Sequence, residues 1–197
     1  MIKKETNINS NNYGIKVMLT VKQFCFFTIT ILFLSTCKPK EETVEIIFNN
    51  KPEVPNSILK EHEHLLESMR KITLYPDSTG TAAIKLYELM LHHFREEEDY
   101  VLPPLGLLPF LTDGNIPENS KDVILLTEKL KSQLTHMNAE HQMIKAYIEE
   151  LLLIAKKEQQ VEILVLEKEI HKHAVTEEEV NFPAAILIGE YLKQKIK

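Results

Sequence analysis

The chain has 197 residues, 44% of them hydrophobic, with only 5 Gly and a formal charge of −6 at neutral pH. That length suits one core, the composition favours helices, and the acidic balance argues against a nucleic-acid partner. Neither a GxxxxGK[ST] loop nor a GxGxxG turn occurs, so nucleotide chemistry has no foothold.

Residues 1–16 are polar and Asn-rich, and read either as an extension or as the result of a translation start placed ahead of Met18. From Met18 the pattern is that of an export signal: Lys22 supplies the positive n-region and Gln23 to Leu34 the apolar h-region. Only 15 residues separate Lys22 from Lys38, short of the roughly 20 that a spanning helix requires. Leu34-Ser35-Thr36-Cys37 resembles the lipobox of bacterial lipoproteins, although Thr36 stands where Gly, Ala or Ser is usual. This implies acylation of Cys37 and a membrane-anchored lipoprotein of the bacterial envelope, periplasmic or on the outer surface. An ordinary signal peptide or a weak uncleaved anchor is the alternative. Removal of Cys25 and acylation of Cys37 would leave no thiol for a disulfide. The expected organisation is a signal-type segment over 1–37, a tether over 38–56 and one folded domain over 57–197.

Ser57 is a candidate N-cap for a first helix over about Ile58–Ile72, which ends before the Pro76-Asp77-Ser78 turn. A second helix is predicted from Thr81 to Tyr100, stopped by Pro103 and Pro104. Leu105 to Ser120 carries Gly106, Pro109, Gly114 and Pro117 and reads as a long crossover loop with room for a short helix at its start. The third and longest helix spans about Lys121–Lys157. The fourth spans Gln160–Val180, and Pro183 permits a last short helix over Ala184–Lys195.

Steps of three and four residues mark one buried face on each long helix. The first gives Ile58, His62, Leu65, Met69 and Ile72; the second Ala83, Leu86, Met90, His93, Glu97 and Tyr100. The third gives Leu130, Leu134, Met137, His141, Ile144, Ile148, Leu151 and Ala155; the fourth Ile163, Leu166, Ile170, His173, Glu177 and Val180. Each apolar seam thus holds a His, and two add a Glu one turn later. A buried ionised carboxylate without a partner costs several kcal/mol, and an imidazole one turn away points to a shared metal ion. The pattern predicts an all-α, up-down-up-down four-helix bundle with a site in its core and a short C-terminal helix.

The chain also repeats itself. His62 to His141 is 79 residues and His93 to His173 is 80. Glu61-His62 followed by Leu65 matches Glu140-His141 followed by Ile144, and His93, Glu97, Glu98 and Pro103 match His173, Glu177, Glu178 and Pro183 at identical offsets. Two related halves would bring their ligands together about a pseudo-twofold axis. At about 1.5 Å per residue, antiparallel packing sets all four seam histidines at one level.

Of the chain's eight histidines, His64, His92, His136 and His171 fall on other faces and read as surface residues. A single His and Glu one turn apart is ordinarily a helix pair worth a few tenths of a kcal/mol. Four coincident seams in a dry core would instead hold two carboxylates and four imidazoles without counter-charge. Glu96, Glu98, Asp99, Glu178 and Glu179 read as a solvated acidic run, from which Glu98 and Glu178 could reach inward, while Glu61 and Glu140 could support the ligands. Met69, Met90 and Met137 read as packing.

These residues resemble the hemerythrin-like, or HHE cation-binding, domain over about Ser57–Tyr191. The likeness lies in Glu61-His62, His93-Phe94 with Glu96-Glu97-Glu98, Glu140-His141, and His173-Ala174 with Glu177-Glu178-Glu179, and extends to Pro103–Leu108 and to Pro183-Ala184-Ala185 with Gly189-Glu190-Tyr191. The resemblance implies a non-haem di-iron centre, two Fe per chain, with His62, His93, His141 and His173 as terminal ligands and Glu97 and Glu177 as bridging carboxylates. Oxygen-carrying hemerythrins have a second third-helix His where this chain has Met137, and an Asp where it has Glu178. Fewer nitrogen donors leave more open or water-filled positions on the irons.

The function expected is binding or sensing of dioxygen or a related small ligand such as nitric oxide, in a pocket dried by Leu65, Leu86, Ile144 and Ile170. A ferroxidase, peroxidase-type or iron-storage protein and a metal-free structural envelope lipoprotein are the alternatives, so the pattern leaves enzymatic activity open. Imidazole and carboxylate donors suit iron or manganese and also accept zinc.

Overall fold

The computed structural model describes residues 51–118 and 120–196, which belong to one compact unit. They form helices and short helical turns, with no strand among the described residues. The signal-type segment, with Cys25 and Cys37, lies outside them, as does most of the expected tether. No helix among the described residues is long and apolar enough to cross a membrane.

Helix α1, Asn56–Thr73, buries His62, Leu65, Met69 and Ile72 of the stripe its spacing predicts, and leaves Ile58 half-buried. It begins before the expected cap: Pro55 holds the N-cap position and no side chain caps the helix, so Ser57 lies inside the first turn. Proline's fixed φ and missing N–H suit that place, because the first N–H groups of a helix have no internal partner. Helix α2, Ser78–Glu96, starts three residues earlier than expected because the Asp77 carboxylate accepts from the N–H groups of Thr79 (2.9 Å) and Gly80 (3.3 Å).

At Glu97 the winding loosens into a π turn, Glu97–Val101, closed by the Leu102 N–H donating to the Glu97 carbonyl at 2.8 Å. The Lys51 ammonium, within the expected tether, donates to the carbonyls of Glu98 (3.0 Å) and Asp99 (3.3 Å). The expected loop has the short helix allowed for at its start: a 3₁₀ turn over Pro103–Leu107 runs into helix α3, Leu108–Thr112, and 113–118 are turn or irregular chain. Pro103, Pro104, Leu105 and Leu107 are buried there. A Cβ on Gly106 would lie 2.1 Å from the Glu53 carbonyl oxygen, so the chain leading into α1 is laid directly on this turn.

Helix α4, Ser120–Glu158, is the longest. Helix α5, Glu162–Thr176, passes through a second π turn, Glu177–Asn181, straight into helix α6, Phe182–Lys195. The fourth helix and the expected separate C-terminal helix are therefore one continuous run. Pro183 falls in the first turn of α6, where its missing N–H costs least. A π turn adds one residue to the winding and rotates the buried face. After Glu177 the next buried residue is Phe182, and Val180, expected in the seam, is 56% exposed.

Helix α1 packs on α2 and α5, and α4 packs on α2, α5 and α6. Two apolar clusters result. One gathers Leu65, Met69, Leu86, Met90, Phe94, Ile144, Ile148 and Ile170; the other gathers Tyr100, Leu105, Leu126, Leu130, Met137, Phe182 and Ile188. On α4 the first ends at Ile144 and the second at Met137, with His141 between. On the α2 run Phe94 and Tyr100 are the corresponding limits, with Glu97 between. The polar seam residues thus form a layer sealed on both sides.

Candidate metal centre

Each expected metal ligand is buried: His62 1%, His93 0%, Glu97 0%, His141 3%, His173 4% and Glu177 0% exposed. The two glutamates are the first residues of the two π turns, so the local loosening of the helix occurs where the carboxylates enter the core. Helices α1, α2, α4 and α5 contribute one His each.

The side chains meet as two groups, His62, Glu97, His173 and Glu177, and His93, Glu97, His141 and Glu177, each with donor atoms within 4.8 Å of one another. Glu97 turns Oε1 toward His93 Nε2 (3.1 Å) and Oε2 toward His62 Nε2 (3.5 Å) and His173 Nε2 (3.9 Å). Glu177 faces His141 Nε2 (3.4 Å) and His173 Nε2 (3.1 Å) with Oε2, and His62 Nε2 (3.9 Å) with Oε1. Each carboxylate is therefore common to both groups, the arrangement of a bridge between two ions.

None of these close approaches is a hydrogen bond. The four Nε2 atoms and both carboxylate oxygens of Glu97 and of Glu177 are buried without a hydrogen-bond partner. Polar atoms in that state cost free energy unless something binds them all at once, and a cation does so. Donors bonded at about 2.1 Å to one tetrahedral ion stand about 3.4 Å apart. The N···O separations between these side chains scatter about that value, so the residues fit metal ions.

The outward nitrogens carry the complementary half of the design. His62 Nδ1 pairs with Glu98 Oε1, His141 Nδ1 with Glu178 Oε1, and His93 Nδ1 with Glu140 Oε2, each at 2.8 Å. His173 Nδ1 has Glu61 at 3.8 Å. A carboxylate accepting the Nδ1 proton fixes the tautomer in which Nε2 is free to ligate and raises its basicity. The internal repeat holds here as well: His62–Glu98 corresponds to His141–Glu178, and His93–Glu140 to His173–Glu61. Sequence reading allowed Glu98 and Glu178 to reach inward as extra ligands; in the structure they grip the imidazoles from outside. Glu140 and Glu61 take the supporting place considered for them, and the repeat at offsets of 79 and 80 was the signal that pairs them.

Two aromatic partners went unread in the sequence. Phe94 stacks on His62 with ring centroids 4.0 Å apart and planes 8° from parallel, and Phe182 on His141 at 5.7 Å and 14°. Met137, at the position where the resemblance led to a comparison with a His, accepts the Tyr100 hydroxyl at its Sδ, 3.2 Å. Burial and the surrounding carboxylates push the Tyr100 phenol well above its usual range, so it stays protonated.

Without metal, the two central glutamates compete for charge. Burial and the adjacent Glu177 push the Glu97 carboxyl well above the usual carboxylate range. Burial acts on Glu177 in the same direction, but the imidazoles of His141, His173 and His62 outweigh it and hold its carboxyl well below that range. For His173 burial opposes charge, yet Glu177 and Glu61 lift the imidazolium to about 10. The metal-free core thus retains protons that ligation must displace.

The fold and site define an all-helical protein whose buried His and Glu groups can hold metal ions. Comparison with protein-family models, with curated proteins and with solved structures yields no match for this chain.

Proposed function

We propose that the chain is a hemerythrin-like protein, an up-down-up-down four-helix bundle with a non-haem di-iron centre that binds dioxygen or a related small ligand such as nitric oxide. Acylation of Cys37 would hold it to the bacterial envelope. The observation that carries the reading is the convergence of four imidazole Nε2 atoms and two doubly unpartnered carboxylates on one sealed layer.

His62 and His173 would hold one ion and His93 and His141 the other, with Glu97 and Glu177 spanning both. Iron, when bound, supplies a redox-active Lewis acid with coordination positions left for a small ligand. The protein's own part is positional. Glu98, Glu178 and Glu140 hold the imidazoles in one tautomer, and the stacked rings of Phe94 and Phe182 fix two of their planes. Leu65, Leu86, Ile144 and Ile170 are buried on one side of the layer and keep water from it. A cleft of about 160 Å³ opens between α4 and α5 beside His141, lined by Ile144, Ile148 and Ile170 and also by Lys145, Glu149 and Glu167.

A ferroxidase or peroxidase-type role for the same centre is favoured by one observation: each ion would have two imidazoles, so positions remain for further reactants. Metal analysis and an optical spectrum of the purified chain, beside a Glu97→Ala/Glu177→Ala variant, test the proposal. The expected result is about two tightly held irons per chain, matching the two core donor groups, with bridged-iron charge-transfer bands lost in the variant. A chain that takes up no metal, beside a variant at least as stable, would overturn it. Rapid turnover of ferrous iron or peroxide would transfer support to the enzymatic reading.

A further inference from the structure

Away from the core layer, α2 and α4 bring together another set of ligand-type side chains. His92 Nδ1 and the carboxylates of Glu96 and Glu140 lie within 4.8 Å of one another, and His136 reaches both carboxylates from α4. The contacts are His136 Nε2 to Glu96 Oε2 at 2.8 Å, His92 Nδ1 to Glu140 Oε1 at 3.3 Å, His136 Nε2 to Glu140 Oε1 at 3.7 Å, and His92 Nδ1 to Glu96 Oε2 at 3.9 Å. These four separations bracket the roughly 3.4 Å expected between donors on a tetrahedral ion.

Two features distinguish this set from a solvated charged face. The Glu140 side chain is only 8% exposed, and because its Oε2 takes the His93 proton, its Oε1 is left facing the cluster. The second feature is a break in the internal repeat. At offsets of 80 and 79, the counterparts of His92, Glu96 and His136 are Lys172, Thr176 and Ser57, and only Glu140 keeps its equivalent, Glu61. The face made by α2 and α4 thus carries two imidazoles and a carboxylate where the equivalent face of α5 and α1 has an ammonium and two hydroxyls. His92 and His136, with side chains 62% and 44% exposed, leave the cluster open to ions from solvent.

We propose that His92, Glu96, His136 and Glu140 form a second, solvent-accessible site for a divalent transition-metal cation, coupled to the core through the shared carboxylate of Glu140. Paired imidazoles select zinc, cobalt or ferrous ions over magnesium and calcium. The ion would occupy the Oε1 side of Glu140 while Oε2 goes on holding His93, so the outer charge is felt one hydrogen bond from a core ligand position. The site does not depend on the core being loaded.

Titration of the purified chain with Co²⁺, followed by visible absorption and metal analysis, tests this against a His92→Ala/His136→Ala variant. Both replaced side chains are exposed, and unchanged helical circular dichroism confirms that the fold is kept. The parent should take about one Co²⁺ more per chain than the variant, and that ion should be the first removed by a chelator. Equal stoichiometry, or a difference in affinity below about tenfold, would overturn the proposal and leave the cluster as a cross-helix hydrogen-bonded pair. Should the core take no metal, the parent would bind one ion and the variant none, which separates failure of the core reading from failure of this one.

Discussion

Replacing Glu97 by Gln keeps the size of a fully buried side chain while removing a bridging carboxylate. In the metal-free protein the Glu97 carboxyl is already pushed well above its usual range by burial and by Glu177. A group raised in the folded state contributes stability below its unfolded pKa and loses it as pH rises through the folded value. The amide escapes that loss, so the metal-free variant should match the parent in mild acid and gain on it as pH rises. Metal reverses the order. With free metal at about 100 times Kd, each ion stabilises by about 2.7 kcal/mol, or about 5 kcal/mol for two. For a domain of this size that raises Tm by about 10–20 °C. Loss of a bridging oxygen from both ions, at about 100-fold in affinity, leaves about 0.4 kcal/mol per ion at the same metal concentration, a rise of about 2–3 °C. Scanning calorimetry with and without anaerobic ferrous iron measures both quantities. A variant that retains the parent's metal-induced rise, or a metal-free variant that loses stability relative to the parent with rising pH, would refute the reasoning.

Replacing Glu98 or Glu178 by Gln should weaken metal binding by about 10- to 100-fold, because each carboxylate holds a ligand imidazole at 2.8 Å. Glu61→Gln should cost less, since Glu61 is 3.8 Å from His173 and half exposed; competition with a chromophoric chelator ranks the three, and an equal loss at Glu61 would contradict the geometry. Loading at neutral pH should release protons, since burial favours the neutral form of Glu97 and His173 is held charged to about pH 10. A weakly buffered titration that shows no acidification would count against this. Gly189→Ala should cost about 1–3 kcal/mol in urea unfolding, because its Cβ would lie 2.0 Å from Thr127 Oγ1 where α6 crosses α4. A neutral result would mean that the two helices can separate without loss.

Local pattern sufficed to show that this chain is helical and which helix faces turn toward its core, although Ile58 and Leu134 are only half-buried. Spacings of three and four placed His62, His93, Glu97, His141, His173 and Glu177 on buried faces, because helical periodicity is set within each segment by backbone geometry. The internal repeat went further and indicated that the ligands form two related pairs. Tertiary structure decided what depends on neighbours remote in sequence. The π turns at Glu97 and Glu177 rotated the later face so that Phe182 is buried and Val180 is exposed. The short helical start of the loop after Pro104 was fixed in place by packing, where Leu105 and Leu107 enter a cluster and Glu53 is laid across Gly106. The partners of the imidazoles were also settled only by packing. Glu98 read in sequence as part of a solvated acidic run and Glu140 as a supporting residue with no named partner, and only the crossing of α1, α2 and α4 brings them to Nδ1 atoms 36 and 47 residues away. A side chain's period is a property of its own helix, whereas its partner is set by how the helices meet.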